Sequence, residues 1–271
     1  MTTHMRRPTR VRRPTRVRRS AHVRRSATAI AAVAAVTLLA SGCGASAGDD
    51  DEPEQRSFAL SGRTLTVDSD DSALELVPAD VDKVEVTRWF KGSVVVGDDP
   101  EVTWAMKDDT LTLRLKCSGM IADCSAKHRI EVPRGIAVTV RDKDGSVRAR
   151  GFEKPLDIRT DDGSVHVEDS SGPLQLHTSD GSVTATEVGS RRVDVNTQDG
   201  AIRLDLAAVP DRIASRSQDG SITIGLPDAT YRVTTETDDG GVEVSVPRDE
   251  RSSHVVSAHT QDGKVTVRTA N

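Results

Sequence analysis

From Ala137 to the C-terminus the chain alternates apolar and polar residues in short runs, two runs to a unit. "LDIRT" is followed by "SVHV", "LQLHT" by "SVTA" and "VDVNT" by "AIRL". A period of two over four to eight residues predicts half-buried β-strands, and no segment here spaces its apolar residues as a helix would. Between the two runs of every unit stands Asp-Gly. "TDDGSVHV" begins at Thr160, "TSDGSVTA" at Thr178, "TQDGAIRL" at Thr197, "SQDGSITI" at Ser217, "TDDGGVEV" at Thr237 and "TQDGKVTV" at Thr260. A looser copy, "DKDGSVRA", starts at Asp142. The aspartates are Asp144, Asp162, Asp180, Asp199, Asp219, Asp239 and Asp262, at spacings of 18, 18, 19, 20, 20 and 23 residues. A repeat of about 19 residues is too short for a propeller blade.

Two architectures fit the unit. Asp-Gly is a preferred two-residue hairpin turn. It also suits the corner of a solenoid coil, where stacking places like residues in columns. The second accounts for more. It explains a Thr/Ser column, an Asp column, a Gly column, and the apolar columns Val140, Ile158, Leu176, Val195 and Val147, Val165, Val183, Ile202, Ile222, Val242, Val265. The predicted fold is all-β: a right-handed parallel β-solenoid (β-helix) of about seven coils of 18–20 residues over 135–271. In the corner, glycine is expected to supply positive φ, and aspartate to accept backbone N–H groups. Residues 58–134 also alternate with period two. They are expected as an irregular β cap on the N-terminal end, or as the first coils, with Trp89, Phe90 and Trp104 in the cap core.

The N-terminus is of another kind. Ten arginines and no acid fall in the first 42 residues, followed by the apolar run "SATAIAAVAAVTLLA" and then "SGC". A basic start, a short apolar stretch and small residues at a cleavage site make a signal peptide, here residues 1–42. "LASGC" resembles a bacterial lipobox, which implies lipid on Cys43 and attachment to the outer face of the cell membrane. The arginine pairs leave open whether export is by the general or the twin-arginine route. Residues 43–57 are small and acidic and read as a flexible tether. With Cys43 lipidated, Cys117 and Cys124 remain, and an exported chain is expected to pair them as a disulfide.

Charge narrows the partners. From Cys43 onward 27 basic residues face 42 acidic ones, a formal charge of −15. Nucleic-acid binding needs the opposite sign, so the expected partner is cationic or a component of the cell envelope. Aromatic residues are 2% of the chain, which removes the usual platform for stacking on sugars or bases.

The stretch "CSGMIADCSAKHRIEVPRGIAVTVRDKDGSV", followed by repeated "TxDGSV", resembles the bacterial putative-adhesin domains of unknown function. The resemblance covers about Leu74 to Val267. It implies a single-stranded β-helix in an exported or lipid-anchored protein, and a fold more than an activity.

Motifs for catalysis are missing: there is no HExxH, no Walker loop, no GxSxG and no spare thiol. His128, His166, His177, His254 and His259 read as ordinary strand or loop residues. No cofactor is expected. Stacked aspartates would repel one another, and a ladder of them offers oxygen ligands to a divalent cation such as calcium. The calcium-binding GGxGxD repeat carries two motifs per coil, however, and this chain has one. The expected function is non-catalytic surface display or adhesin-like binding. The alternatives are an envelope-stress accessory that binds cationic peptides, and a polysaccharide-active β-helix enzyme.

Overall fold

The structure, a computed structural model, describes residues 52–120 and 122–270. The expected signal peptide, Cys43 and the first part of the tether lie outside the described residues. Among the described residues every regular element is a strand. β1 (Glu54–Phe58) precedes β2 (Thr64–Ser69), β3 (Ser72–Ala79), β4 (Val84–Val94), β5 (Glu101–Lys107), β6 (Thr110–Lys116) and β7 (Ala122–Pro133). The repeat then follows as β8 (Ala137–Asp142), β9 (Val147–Arg150), β10 (Leu156–Thr160), β11 (Val165–Glu168), β12 (Leu174–Thr178) and β13 (Val183–Val188). It continues through β14 (Arg192–Thr197), β15 (Ile202–Leu206), β16 (Arg212–Arg216) and β17 (Ile222–Leu226). It ends with β18 (Arg232–Asp239), β19 (Val242–Val244), β20 (Val255–Asp262) and β21 (Val265–Thr269).

In the repeat, the strand before each Asp-Gly joins one sheet and the strand after it joins the other. Asp-Gly is therefore a corner between two sheets, and the hairpin alternative fails. Like strands pair in parallel and in register, as in Leu156↔Leu174, Ile158↔Leu176, Val165↔Val183 and Val183↔Ile202. Alternate side chains from the two sheets meet in a shared interior. Val140, Ile158, Val195, Val147, Val183, Ile222 and Val265 are fully buried there. Each such side chain contributes about 1.5–3 kcal/mol, which compensates for the scarcity of aromatics. The long-lever aromatics go to the ends, with Trp104 near one and Tyr231 near the other, both buried.

Stacking order departs from chain order at both ends. One sheet runs β1-β4-β7-β3-β9-β11-β13-β15-β17-β21-β19, the other β18-β20-β16-β14-β12-β10-β8-β2-β6-β5. The last coil, β20–β21, sits directly on β16–β17, and the preceding coil, β18–β19, lies outside it. The inward residues explain this. β20 turns Val256, Ala258 and Thr260 inward, all buried, whereas β18 turns in Val233, Thr235 and Thr237, which stay half-buried. The more apolar coil takes the enclosed rung. The return over one rung uses the connection 245–254, which lengthens the last repeat spacing to 23. Val242, expected in the core, is 48% exposed because its coil is the outermost one.

At the other end, residues 58–134 are coils with additions. β2–β3 and β6–β7 extend the parallel stack, while β1, β4 and β5 pair antiparallel along its outer strands. β1 starts within the stretch expected as tether. The two-residue hairpin turn in this region is Asp108-Asp109, both with positive φ (49° and 57°), and the Asp109 carboxylate accepts hydrogen bonds from the N–H groups of Ser61 and Gly62 at 2.7 and 2.8 Å. Of the three aromatics expected in a cap core, Trp104 is buried; Trp89 and Phe90 are half-buried.

Candidate functional site

Three columns meet at the repeated corner. Innermost is the hydroxyl column. Thr178 Oγ1 donates to the Gly163 carbonyl at 3.0 Å, Thr197 to Gly181 at 3.1 Å, Ser217 to Gly200 at 3.2 Å and Thr260 to Gly220 at 2.9 Å. Thr237 donates to Gly263 at 3.1 Å, following the stacking order rather than the chain order. These bonds satisfy carbonyls that the next coil covers.

The glycine column has a different cause from the one expected. Of its seven members only Gly263 has positive φ (150°). A Cβ on Gly163 would overlap the carbonyl oxygen of Gly145, one on Gly181 that of Gly163, and one on Gly200 that of Gly181. Glycine is required because successive corners pack backbone against backbone.

Outermost are the aspartates. Asp144, Asp162, Asp180, Asp199, Asp219, Asp262 and Asp239, in stacking order, are all exposed. Asp71 is an eighth member that the Asp-Gly repeat does not reveal. Leu74 pairs with Val147, so Asp71 falls opposite Asp144, in a corner written "DDSA" without glycine. The phase of "ALEL" behind it was the available signal. Parallel strands stack about 4.8 Å apart, close enough for like charges to disfavour ionisation. A hydrogen bond shared with Asp144 chiefly raises the pKa of Asp162. Desolvation within the stack comes first at Asp71, Asp199 and Asp262, followed by the carboxylates beside each, and all three are raised. The carboxylates were expected to accept backbone N–H groups in the turn. Instead the backbone N–H groups of Asp162, Asp180 and Asp199 donate to carbonyls of the preceding coil at 2.8, 2.8 and 2.9 Å. Among the described residues no three His, Cys, Asp or Glu side chains gather as a metal-holding set. The column is a ridge of exposed negative charge.

One acid stands in the wrong column. Asp142 pairs with Thr160 and occupies a hydroxyl position. It is 5% exposed; one carboxylate oxygen accepts from the Gly145 N–H at 2.8 Å, and the other has no partner. Burial pushes its pKa up to about 7, opposed by its contacts with Ser69 and the Gly145 N–H and reinforced by Asp144 and Asp71.

The other residues singled out from the sequence lie apart from this ridge. Cys117 and Cys124 form the expected disulfide, with Cα atoms 6.1 Å apart. His128 is fully buried against Trp104, with ring centroids 6.2 Å apart, and neither ring nitrogen has a partner. Burial, and secondarily the charge of Arg88, lowers its pKa to about 4. His254 Nδ1 lies 2.9 Å from the Pro210 carbonyl, and His259 lies beside Glu236. No arrangement of nucleophile and base joins these groups.

Comparison with known proteins places the chain. Among solved structures, a putative adhesin from Bacteroides fragilis is 14% identical with a TM-score of 0.48, covering 83% of this chain and 100% of that one. A putative adhesin from Parabacteroides merdae is 12% identical with a TM-score of 0.48, covering 82% and 98%. A putative cell adhesion protein from Clostridium sporogenes is 12% identical with a TM-score of 0.35, covering 81% and 100%. No curated protein matches. Likenesses of that size carry no argument about activity, but the family model described as Toastrack DUF4097 matches residues 48–271, nearly the whole chain beyond the basic N-terminus. The chain belongs to the Toastrack DUF4097 family.

Proposed function

We propose that this is a lipid-anchored protein of the outer face of the bacterial cell membrane, a rigid β-solenoid that binds a cationic partner without catalysing a reaction. The observation that carries this is the ridge of eight exposed aspartates, fixed in line by the hydroxyl and glycine columns. Such a row sets eight of the 42 acidic residues along one edge of a chain whose formal charge from Cys43 onward is −15. The lipobox-like "LASGC" and the acidic stretch after Cys43 support attachment with the solenoid held clear of the headgroups.

Two measurements test it. Cys43→Ser should release the protein from the membrane fraction; unchanged retention would overturn the lipid anchor. Oligolysine should bind the exported chain, and binding should weaken as salt rises, since exposed charges are screened over about 10 Å at 0.1 M. Asp180→Asn with Asp199→Asn should weaken it further. Binding that ignores both salt and these substitutions would overturn the ridge as the site. Melting with calcium and with chelator separates a metal from a polycation, because a ligand of the native state raises the midpoint.

A further inference from the structure

The antiparallel ladder of β4 and β7 outruns its neighbours. β1 reaches only to Glu54 opposite Arg88, and β3 begins at Ser72 opposite Ala126. Beyond them four more pairs continue: Lys91↔Ser125, Gly92↔Cys124, Ser93↔Asp123 and Val94↔Ala122. At about 3.4 Å per residue this is an arm of about 14 Å projecting past the corner. It is braced for its length. The Cys117–Cys124 disulfide staples its base, the Met120 N–H donates to the Val96 carbonyl at 2.8 Å, and Gly97 bridges Gly119.

Its tip is apolar and uncovered. Val95 is 69% exposed, Val96 57% and Met120 85%. Among the described residues the other large apolar side chain so exposed is Val242, at the opposite end of the stack. Val96 stands opposite Met120 across the arm, so these two share a face at its tip while Val95 lies on the other.

The surroundings decide the occupant. Ser72, where β3 meets the arm, follows Asp71, the first carboxylate of the ridge, so the arm rises beside the end of the column. Asp98 and Asp99 flank the tip, against Lys91 and a Lys116 that Glu101 holds at 3.3 Å. An anionic bilayer is repelled by such a setting, and so is a second copy with the same acids. A chain with basic residues and an apolar anchor is matched to it: charge along a ridge of about 34 Å, counted as eight aspartates at strand spacing, and an apolar post at one end.

We infer that the arm is a docking post for a cationic amphipathic peptide segment, whose apolar residues seat on Val95, Val96 and Met120 while its basic residues meet the aspartate ridge. This rests on the cationic partner proposed above and specifies its chemistry. The closing experiment separates the two. The exported chain with Cys43→Ser, whose described residues all lie in one compact unit, carries a tryptophan reporter at the tip (Val96→Trp) or at the far end (Val242→Trp). The probe is a synthetic helix of lysine and leucine, compared with oligolysine of equal charge. Emission at position 96 should shift to the blue and saturate with the amphipathic peptide, while oligolysine leaves it unmoved and position 242 responds to neither. Val95→Ser with Val96→Ser should weaken the amphipathic peptide several-fold and leave oligolysine binding unchanged. A reporter that stays water-exposed with the peptide overturns the arm as the post, even where oligolysine still binds the ridge. A shift produced by zwitterionic vesicles alone assigns the tip to a lipid surface. A shift that grows with protein concentration alone assigns it to a second copy. Either result also overturns the inference.

Discussion

Asp142→Asn should stabilise the protein at alkaline pH and leave it unchanged in acid. Asp142 occupies a position where six other coils place Thr or Ser hydroxyls that donate to a carbonyl, and an ionised carboxylate has no proton to donate. Its folded pKa of about 7, against 3.8 for the free side chain, corresponds to about 4 kcal/mol between the two protonation states at about 1.36 kcal/mol per pH unit. The folded state binds the proton more tightly than the unfolded one. The stabilising contribution is therefore complete below about pH 4, is lost as pH rises to about 7, and stays lost above it. Asparagine keeps the size of the neutral acid and does not titrate. The variant should therefore gain up to about 4 kcal/mol over the parent at pH 8, roughly 10 °C in the melting midpoint of a domain this size. At pH 4 the two should coincide. Urea unfolding of both proteins at pH 4, 6 and 8 reads the difference directly, and groups that titrate alike in both proteins drop out of it. A difference that is the same at every pH, or a parent more stable at pH 8, would refute the buried-acid account.

His128 behaves in the opposite sense. Its pKa falls to about 4 on folding, so the fold loses up to about 3 kcal/mol as pH drops from 6.5 towards 4. His128→Phe should melt close to the parent at pH 7.5 and clearly above it at pH 4.5. Glycine substitutions separate crowding from conformation. Gly200→Ala drives a methyl into the Gly181 carbonyl and should cost about 1–3 kcal/mol, as overpacking does, whereas Gly189→Ala meets only Ser171 at 3.5 Å and should be close to neutral in the same denaturant titration.

Much of this protein was legible in its residues because a solenoid repeats local rules. The period of two, the fixed phase of Asp-Gly and the matching apolar columns are short-range facts, and they specified strands, corners and parallel stacking. Pairing in register then follows, since a slip by one residue would turn every valine of a coil outward. Two cysteines left over in a chain read as exported were enough to predict their disulfide.

The rest depended on which coil lies on which. Near-identical coils are nearly interchangeable partners, so the sequence between Thr237 and Val267 does not announce that its second coil stacks inside its first. The small difference between an inward Thr235 and an inward Ala258 decides that, and with it the exposure of Val242. The purpose of the glycines was likewise invisible. A positive φ is a property of one residue, but the overlap of a Cβ with the carbonyl of the coil beneath exists only after stacking. The same holds for Asp71, which joins the ridge by lateral pairing across a long stretch of chain, and for Asp142, whose burial is set by neighbours on both sides. Residues 54–133 show the limit most plainly. Their alternation predicts strands, but only long-range pairing separates the coils β2–β3 and β6–β7 from the antiparallel additions and sends β4 and β7 past their neighbours as an arm. Local sequence sets the period and phase of the strands; the free energy of burying one coil against another sets their order.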